Sequence, residues 1–331
     1  MTRPIILGVV GDSASGKTTI TRGLVRGLGE DAVTHVCTDD YHRYDRAQRA
    51  ESGITPLHPD CNYIDIMEQH LTLLRRGEAI LKPVYNHADG TFAAPRYVKP
   101  LGFTVVEGLL GYHTEKMRAV CDVRVFLAPP EELRRKWKVN RDCSRRGYTT
   151  DQVLAELDKR EDDSVSFIRP QERYADIVVS FNSGDPADPD HLDAQLILRD
   201  GLPHPDLSSF VDVDAGMTLT AGDGELLLRI PGRLDAELAG AIEQAIWEKM
   251  HFASHLRSQR LGEFTVGTDL HRSESLALVQ LLILYHMVNA RATVALGGDG
   301  GRSAARSAPA SADDNDGAGR PPERTASGLA R

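Results

Sequence analysis

The stretch 11–18, Gly-Asp-Ser-Ala-Ser-Gly-Lys-Thr, constrains the fold of this chain more than any other feature. It matches G-x-x-x-x-G-K-[ST], the P-loop, whose backbone N–H groups surround the phosphates of a nucleoside triphosphate. An almost unbroken apolar run, 4–10, precedes it and predicts a buried parallel strand. Ile20, Leu24 and Leu28 follow at helical spacing. Because strand, glycine loop and helix are the context that the motif requires, the sequence predicts triphosphate binding; the alternative is a Gly/Ser turn before a structural helix.

The loop residues have separate expected roles. We expect Lys17 to reach the β- and γ-phosphates and the Thr18 hydroxyl to bind Mg²⁺ as the cofactor, with ATP as co-substrate. The full predicted ATP-binding set is Gly11, Asp12, Ser13, Ala14, Ser15, Gly16, Lys17, Thr18 and Thr19.

Charge and hydropathy exclude several partners. A formal net charge of −9 gives no electrostatic support for a general nucleic-acid-binding role. The apolar run 276–287 is too short to span a membrane and predicts a buried helix. We see no signal peptide and no zinc spacing among Cys37, Cys61, Cys121 and Cys143, so we expect a reduced, cytoplasmic protein that binds neither membranes nor nucleic acid.

The first half of the chain alternates strand and helix patterns. Apolar strands are predicted at 33–37, 103–106, 121–127 and 176–181, and helices at 63–75, 131–146 and 149–159. This alternation predicts an α/β fold over residues 1–181: a P-loop NTPase core with a doubly wound, mostly parallel sheet and helices on both faces. The aperiodic segment 46–62 is predicted to be a loop or lid, and 82–99 an extended excursion.

The composition changes after residue 181. Short strand patterns at 195–199, 210–213, 217–220 and 225–230 precede helical patterns at 234–250 and 273–289. We therefore expect residues 182–296 to form a smaller β-rich and helical C-terminal part packed on the core. Residues 297–331 carry no apolar pattern and are predicted to be a disordered tail.

Acidic residues follow two of the predicted strands at their carboxyl ends, where open α/β sheets bind ligands. Asp39 and Asp40 end the second strand, and either can serve as a base toward an alcohol acceptor or form an Asx turn or helix cap. Glu107 ends the strand 103–106, where an acid can hold Mg²⁺ or simply terminate the strand.

A charged stripe lies on the predicted helix 131–146. Lys138, Arg141, Asp142 and Arg145 share one helical face. Such a face is commonly solvated, and Lys138 can pair with Asp142; the alternative beside a P-loop is a lid of cations over the phosphates.

Six motifs occur in the order seen in phosphoribulokinases. They are the P-loop, Asp39-Asp40-Tyr41-His42-Arg43-Tyr44-Asp45-Arg46, Tyr85-Asn86-His87, Glu107-Gly108-Leu109, Arg141-Asp142-Cys143-Ser144-Arg145-Arg146-Gly147-Tyr148 and Pro170-Gln171-Glu172-Arg173-Tyr174-Ala175-Asp176. The chain resembles the phosphoribulokinase/uridine kinase family, and within it the plant and cyanobacterial phosphoribulokinases, closely over 4–181 and more loosely over 182–295.

The resemblance implies ATP-dependent phosphorylation of the C1 hydroxyl of D-ribulose 5-phosphate, the Calvin-cycle step before carbon fixation, by a homodimer. It implies that Asp39 is the general base and that Lys17 and Lys138 neutralise the charge of the transferring phosphoryl group. The expected catalytic residues are therefore Asp39, Lys17, Lys138 and Asp142. Thr18, Glu107 and Asp142 would handle Mg²⁺. The sugar phosphate would be held by His42, Arg46, Tyr85, His87, Arg141 and Arg146.

One departure from the family concerns regulation. The light-regulated plant form pairs a P-loop cysteine with one at the end of the second strand; here Cys37 matches the second position but Ser15 occupies the first. That disulfide cannot form. Two other functions remain open: a kinase for another small alcohol such as uridine, and a non-catalytic ATP-binding sensor or assembly protein.

Overall fold

A computed structural model describes residues 2–183, 191–208, 211, 214–257, 260–266 and 269–300; it does not describe the side chains of Arg145, Arg146, His251, Ser254, His255 and Val266. Within these ranges an eight-stranded sheet forms the centre of the protein. Its strands are β1 (Ile5–Gly11), β2 (Val33–Cys37), β5 (Phe103–Gly108), β6 (Val123–Leu127), β7 (Ile177–Ser183), β8 (Leu192–Arg199), β9 (Thr218–Gly222) and β10 (Glu225–Ile230). They lie side by side in the order β2-β5-β1-β6-β7-β8-β10-β9. A separate hairpin consists of β3 (Ile80–Asn86) and β4 (Thr91–Val98), and a second of β11 (Glu263–Val266) and β12 (Asp269–Arg272).

The helices have the following bounds: α1 (Lys17–Leu28), α2 (Arg46–Ser52), α3 (Ile64–Arg75), α4 (Glu115–Ala119), α5 (Glu131–Arg146), α6 (Thr150–Lys159), α7 (Glu161–Asp163), α8 (Ala236–Lys249) and α9 (Glu274–Ala295). A π-helical turn, Ser164–Ile168, follows α7 directly.

The parallel part of the sheet places the site. β2, β5, β1, β6 and β7 run parallel, and the register pairs Val9 with Glu107 and Cys37 with Glu107. The carboxyl ends of β1, β2 and β5 therefore meet at one edge of the sheet, which is where parallel sheets present ligand-binding loops.

Apolar side chains cover the sheet on both faces, as predicted. One face packs Ile5, Leu7 and Val9 against α1, α8 and α9. The other packs Ile6 and Val10 against α3 and α4. This two-sided burial explains why the central strands read as continuous apolar runs rather than as alternating patterns.

Helix α9 is the one helix in the described ranges that is long and apolar enough to cross a membrane. Two thirds of its apolar window is buried inside the protein, where it packs on α1, α8, β1 and β8. The predicted buried helix is thus confirmed, with longer bounds than the pattern indicated.

The C-terminal strands continue the main sheet. β8, β10 and β9 add to β7 in antiparallel fashion, so the β-rich C-terminal part and the core share one sheet. Strand pairing across a connection is not encoded in local periodicity, which is why the sequence did not reveal it. Of the strand predicted at 210–213, Phe210, Asp212 and Val213 lie outside the described residues.

One difference concerns a connecting segment. Residues 46–62, predicted to be a loop, contain α2, whose start is fixed by a capping box between Asp45 and Gln48. Past residue 296 the described chain continues to Gly300, and Asp299 pairs with Arg3 at 3.3 Å and with Arg75 at 3.0 Å. The remainder of the predicted tail, 301–331, lies outside the described residues.

Candidate active site

The P-loop connects β1 to α1 in the geometry of an anion cradle. Gly16, the N-cap of α1, has a left-handed backbone with φ 95°, which favours glycine, and among the described residues no side chain caps the helix. The first N–H groups of α1 are thus left for an anion. The Lys17 ammonium donates to the carbonyl oxygens of Gly11 and Asp12, each at 2.8 Å. Burial lowers the pKa of Lys17, although the negative charges of Asp39, Glu107 and Asp12 act to raise it.

Polar contacts from two other elements hold the loop in shape. The buried Asp12 carboxylate accepts from the Ser13 N–H at 2.6 Å and from the Ser164 hydroxyl in the π-helical turn. Arg134 of α5 donates to the Ser13 carbonyl at 3.1 Å while paired with Glu131 at 2.7 Å. Sequence reasoning did not find Ser164 or Arg134, because nothing local connects them to the loop. Ser15 Oγ is buried and has no hydrogen-bond partner in the described part of the chain.

Glu107 is prepared to act as an anion beside the P-loop. It accepts from the Thr21 hydroxyl at 2.9 Å and pairs with His35 Nε2 at 3.1 Å. Burial alone would raise its pKa, but the bonds from His35 and Thr21 and the charge of Lys17 bring it below the ordinary value. Mg²⁺ prefers one or two carboxylates together with substrate phosphates and water, and the ionised Glu107 with the exposed Thr18 hydroxyl fits that preference. Across the described ranges no cluster of three or more His, Cys, Asp or Glu side chains is arranged to hold a metal ion without a nucleotide.

Lys138 and Asp142, two of the four residues on the charged face of α5, are buried, whereas Arg141 is partly exposed. Lys138 pairs with Asp142 at 2.8 Å and approaches the Ser13 hydroxyl at 3.3 Å, which places it against the P-loop. Burial and the neighbouring Arg141 charge lower the pKa of Lys138 to about 8, with Asp142 opposing the shift. Arg141 also bonds Asp142, at 2.9 Å. Two cations therefore hold the Asp142 carboxylate, and a metal bound to Asp142 would share its oxygens with them.

A cleft of about 640 Å³ lies beside the loop and contains the predicted acceptor residues. Its lining includes the catalytic candidates Asp39, Lys138 and Asp142, the P-loop residue Ser13, and the sugar-phosphate candidates His42, Arg46, Tyr85, His87 and Arg141. The side chain of Arg146 lies outside the described residues. The structure thus brings together, in one space, residues that lie far apart in the sequence.

The two adjacent aspartates have different environments. In the described structure the Asp39 carboxylate makes no side-chain hydrogen bond or ion pair, and it lines the cleft. Asp40 instead bonds the Lys82 ammonium and accepts from the Tyr85 N–H at 2.9 Å, so it fixes the β3–β4 hairpin. Asp39 is therefore the one of the two that is available to an acceptor hydroxyl.

The tautomer of His42 follows from its neighbour. Asn62 donates from its amide to the carbonyls of Pro56 and His58, at 3.1 and 2.9 Å, so its oxygen must face His42 Nδ1, 2.8 Å away. Burial lowers the pKa of His42, with Asp39 and Asn62 opposing, so the ring is neutral near pH 7. Nδ1 then carries the proton, and Nε2 remains an acceptor.

An aromatic cluster surrounds Tyr85 at the hairpin end of the cleft. Its ring meets those of His42 and His87 edge-to-face, with centroids 4.9 and 5.0 Å apart. Arg46 donates to the His87 carbonyl at 2.7 Å. Arg49 also lines the cleft and bonds Tyr85; sequence reasoning missed it because its helix lies in a segment that lacks apolar periodicity.

Comparison with known proteins identifies the family of this chain. A sequence model for the "Phosphoribulokinase / Uridine kinase family" matches residues 6–184. A phosphoribulokinase from Synechocystis sp. is 40% identical over 177 residues, covering 54% of this chain and 53% of that protein. A chloroplastic phosphoribulokinase from Triticum aestivum is 32% identical over 221 residues, covering 60% and 55%. A uridine kinase from Leuconostoc citreum is 32% identical over 187 residues, covering 54% of this chain and 87% of its own.

The chain spans about half the length of the curated phosphoribulokinases that it matches. Among solved structures, a phosphoribulokinase from Rhodobacter spheroides aligns with a TM-score of 0.56 and 21% identity, covering 77% of this chain and 99% of that one. That likeness supports the fold. Since the family match extends over more than half of the sequence and includes the P-loop, Asp39 and Glu107, the chain belongs to the phosphoribulokinase/uridine kinase family.

Proposed function

We propose that this chain transfers the γ-phosphoryl group of ATP to the C1 hydroxyl of D-ribulose 5-phosphate, giving D-ribulose 1,5-bisphosphate and ADP for carbon fixation. The observation that carries the proposal is a cleft beside the P-loop, lined by Asp39, whose carboxylate has no side-chain bond in the described part of the chain, and by several cationic and hydrogen-bonding side chains.

The chain's own residues supply the steps of this reaction. Asp39 accepts the proton of the C1 hydroxyl while the hydroxyl oxygen forms a bond to the γ-phosphorus of ATP. The bond between the γ-phosphorus and the β–γ bridging oxygen breaks, and ADP is released. Lys17, which contacts the Gly11 and Asp12 carbonyls, and Lys138, which contacts the Ser13 hydroxyl, balance the charge on the transferring group. Mg²⁺, when bound near Thr18 and Glu107, would neutralise charge on the ATP phosphates.

The arginines favour a phosphorylated acceptor. Arg46 and Arg141 line the cleft, and a planar guanidinium suits the oxygens of a 5-phosphate. Uridine, the substrate suggested by the uridine kinase relatives, carries no phosphate, and these cations would then have no anion to bind. A non-catalytic ATP-binding protein would have no use for the Asp39 carboxylate facing the cleft.

The test is ADP release measured with purified protein, ATP and Mg²⁺, with D-ribulose 5-phosphate and with uridine in parallel. We expect ADP release to depend on ribulose 5-phosphate. Nucleotide binding without ADP release from either acceptor would support the non-catalytic alternative instead.

We also propose a homodimer that works in the cytoplasm. The dimer is supported by the family resemblance, and the location by the burial of α9 within the protein and by four cysteines that are free thiols. Sedimentation analysis of the full chain tests the oligomeric state.

A further inference from the structure

Arg49 is a cation of the acceptor cleft to which neither the motifs nor the family resemblance assign a role. It lies one turn after Arg46 on α2, is half-buried, and lines the cleft. Its Nη1 donates to the Tyr44 carbonyl at 2.7 Å, and its Nη2 donates to the Tyr85 hydroxyl at 2.6 Å. Held by both of these bonds, the guanidinium is a fixed element of the site.

The contact with Tyr85 has only one possible direction. A guanidinium has no acceptor, so the phenol oxygen must accept and Arg49 must donate. The phenol proton is therefore not used in this bond. Among the described residues no other polar group bonds the Tyr85 hydroxyl, so its proton can be donated to a ligand in the cleft. Donation from a cation polarises the phenol O–H, and that strengthens its own donation.

The rest of Tyr85 is already fixed. Asp40 accepts from its backbone N–H, and the rings of His42, His87 and Phe92 pack around its own ring. Arg49 also stacks on this ring, with its Cζ 5.0 Å from the centroid. The orientation of the hydroxyl proton is the single freedom left, and Arg49 sets it.

We propose that Arg49 is a positioning residue of the acceptor site: it orients the Tyr85 hydroxyl as a hydrogen-bond donor to an oxygen of the sugar phosphate. This inference rests on the proposed function for the identity of the acceptor. Arg49 acts through Tyr85 and needs no contact with the substrate.

A double-mutant cycle tests this coupling. The variants are Arg49→Leu, Tyr85→Phe and the two together, assayed for kcat, KM for ribulose 5-phosphate and KM for ATP. Tyr85→Phe keeps the ring and removes only the hydroxyl. We expect each single variant to raise KM for ribulose 5-phosphate by about tenfold, the scale of one charge-assisted hydrogen bond, with KM for ATP unchanged. The double variant should stay within about twofold of the worse single variant, because both remove the same bond.

Arg43 supplies the matched control. It also stacks on a tyrosine, with its Cζ 5.1 Å from the ring centroid of Tyr63, but it is exposed and does not line the cleft. Arg43→Leu should leave all three kinetic parameters unchanged. Arg49→Lys, which can replace one donated bond but not both, should fall between wild type and Arg49→Leu and provides a folded variant for the cycle if leucine disrupts α2.

The outcomes separate this inference from the proposed function. If Arg49→Leu matches Arg43→Leu, or if the double variant loses the product of the two single effects, Arg49 does not act through Tyr85 and the inference is overturned. If the wild type releases no ADP with ribulose 5-phosphate, the proposed function fails. In that case the same cycle is measured as calorimetric affinity for ribulose 5-phosphate, and an absence of binding overturns both.

Discussion

Replacing Asp39 by asparagine removes a carboxylate that lines the cleft and makes no side-chain hydrogen bond or ion pair within the described structure. The variant loses a proton acceptor, together with a negative charge that favours the charged forms of Lys17 and His42. General-base catalysis contributes about 10² to 10⁴ in rate, equivalent to about 3 to 5 kcal/mol of transition-state stabilisation. We therefore expect Asp39→Asn to lose two to four orders of magnitude in kcat, with ATP binding retained and a thermal midpoint close to that of the wild type.

Asp40→Asn provides the opposite control one residue away. It leaves the Lys82 ammonium, only 5% exposed, without its carboxylate partner. Breaking a buried ion pair in this way costs about 3 to 5 kcal/mol, which is a fall of roughly 6 to 20 °C in Tm. The loss of activity in Asp40→Asn should therefore follow the loss of folded protein.

The assay combines ADP release at saturating ribulose 5-phosphate with a thermal melt of each variant. Near-wild-type kcat in Asp39→Asn would remove Asp39 from the role of base. A large drop in its Tm would show that the carboxylate has a structural partner, and the reasoning from its free position would then be wrong.

Three further predictions concern other parts of the site. Because the pKa of Lys138 is lowered to about 8, its charged form is lost as pH rises through that value, and kcat/KM should fall above pH 8. In Lys138→Arg, kcat/KM should stay near the variant's own maximum above pH 8; the same decline as in the wild type would contradict the role of Lys138. Arg46→Ala should raise KM for ribulose 5-phosphate about tenfold or more and leave KM for ATP unchanged, whereas a change confined to KM for ATP would place Arg46 elsewhere. Activity should not respond to dithiothreitol through Cys37, because Ser15 replaces its partner, and because burial and the charges of Asp39 and Glu107 raise the pKa of the Cys37 thiol. A reversible gain of activity on reduction that Cys37→Ser abolishes would refute this.

Elements that are defined by contiguous residues could be predicted from the sequence. The P-loop, β1 and α1 are contiguous, and their apolar spacing and glycines fix both the elements and the anion site between them. The five parallel strands were found because burial on both faces makes each of them a short apolar run bounded by polar residues.

The roles of several site residues depend on their neighbours in space, which residue spacing in the sequence does not show. Asp39 and Asp40 are chemically identical neighbours, and only the position of Lys82 on β3 shows which one is engaged. The stripe on α5 has the same helical spacing whether it faces water or the loop, and its contact with Ser13, 125 residues away, settles the question. Arg49 gave no signal at all, because α2 is a seven-residue polar helix without an apolar face.

The central claim is that one cleft joins ATP to a phosphorylated sugar. Coupled ADP release with purified full-length protein tests it most directly, comparing D-ribulose 5-phosphate with uridine at equal concentrations and using Asp39→Asn as the inactive control. We expect turnover with ribulose 5-phosphate, little or none with uridine, and ribulose 1,5-bisphosphate as the product. Turnover with uridine alone, or ADP release that Asp39→Asn does not reduce, would contradict it.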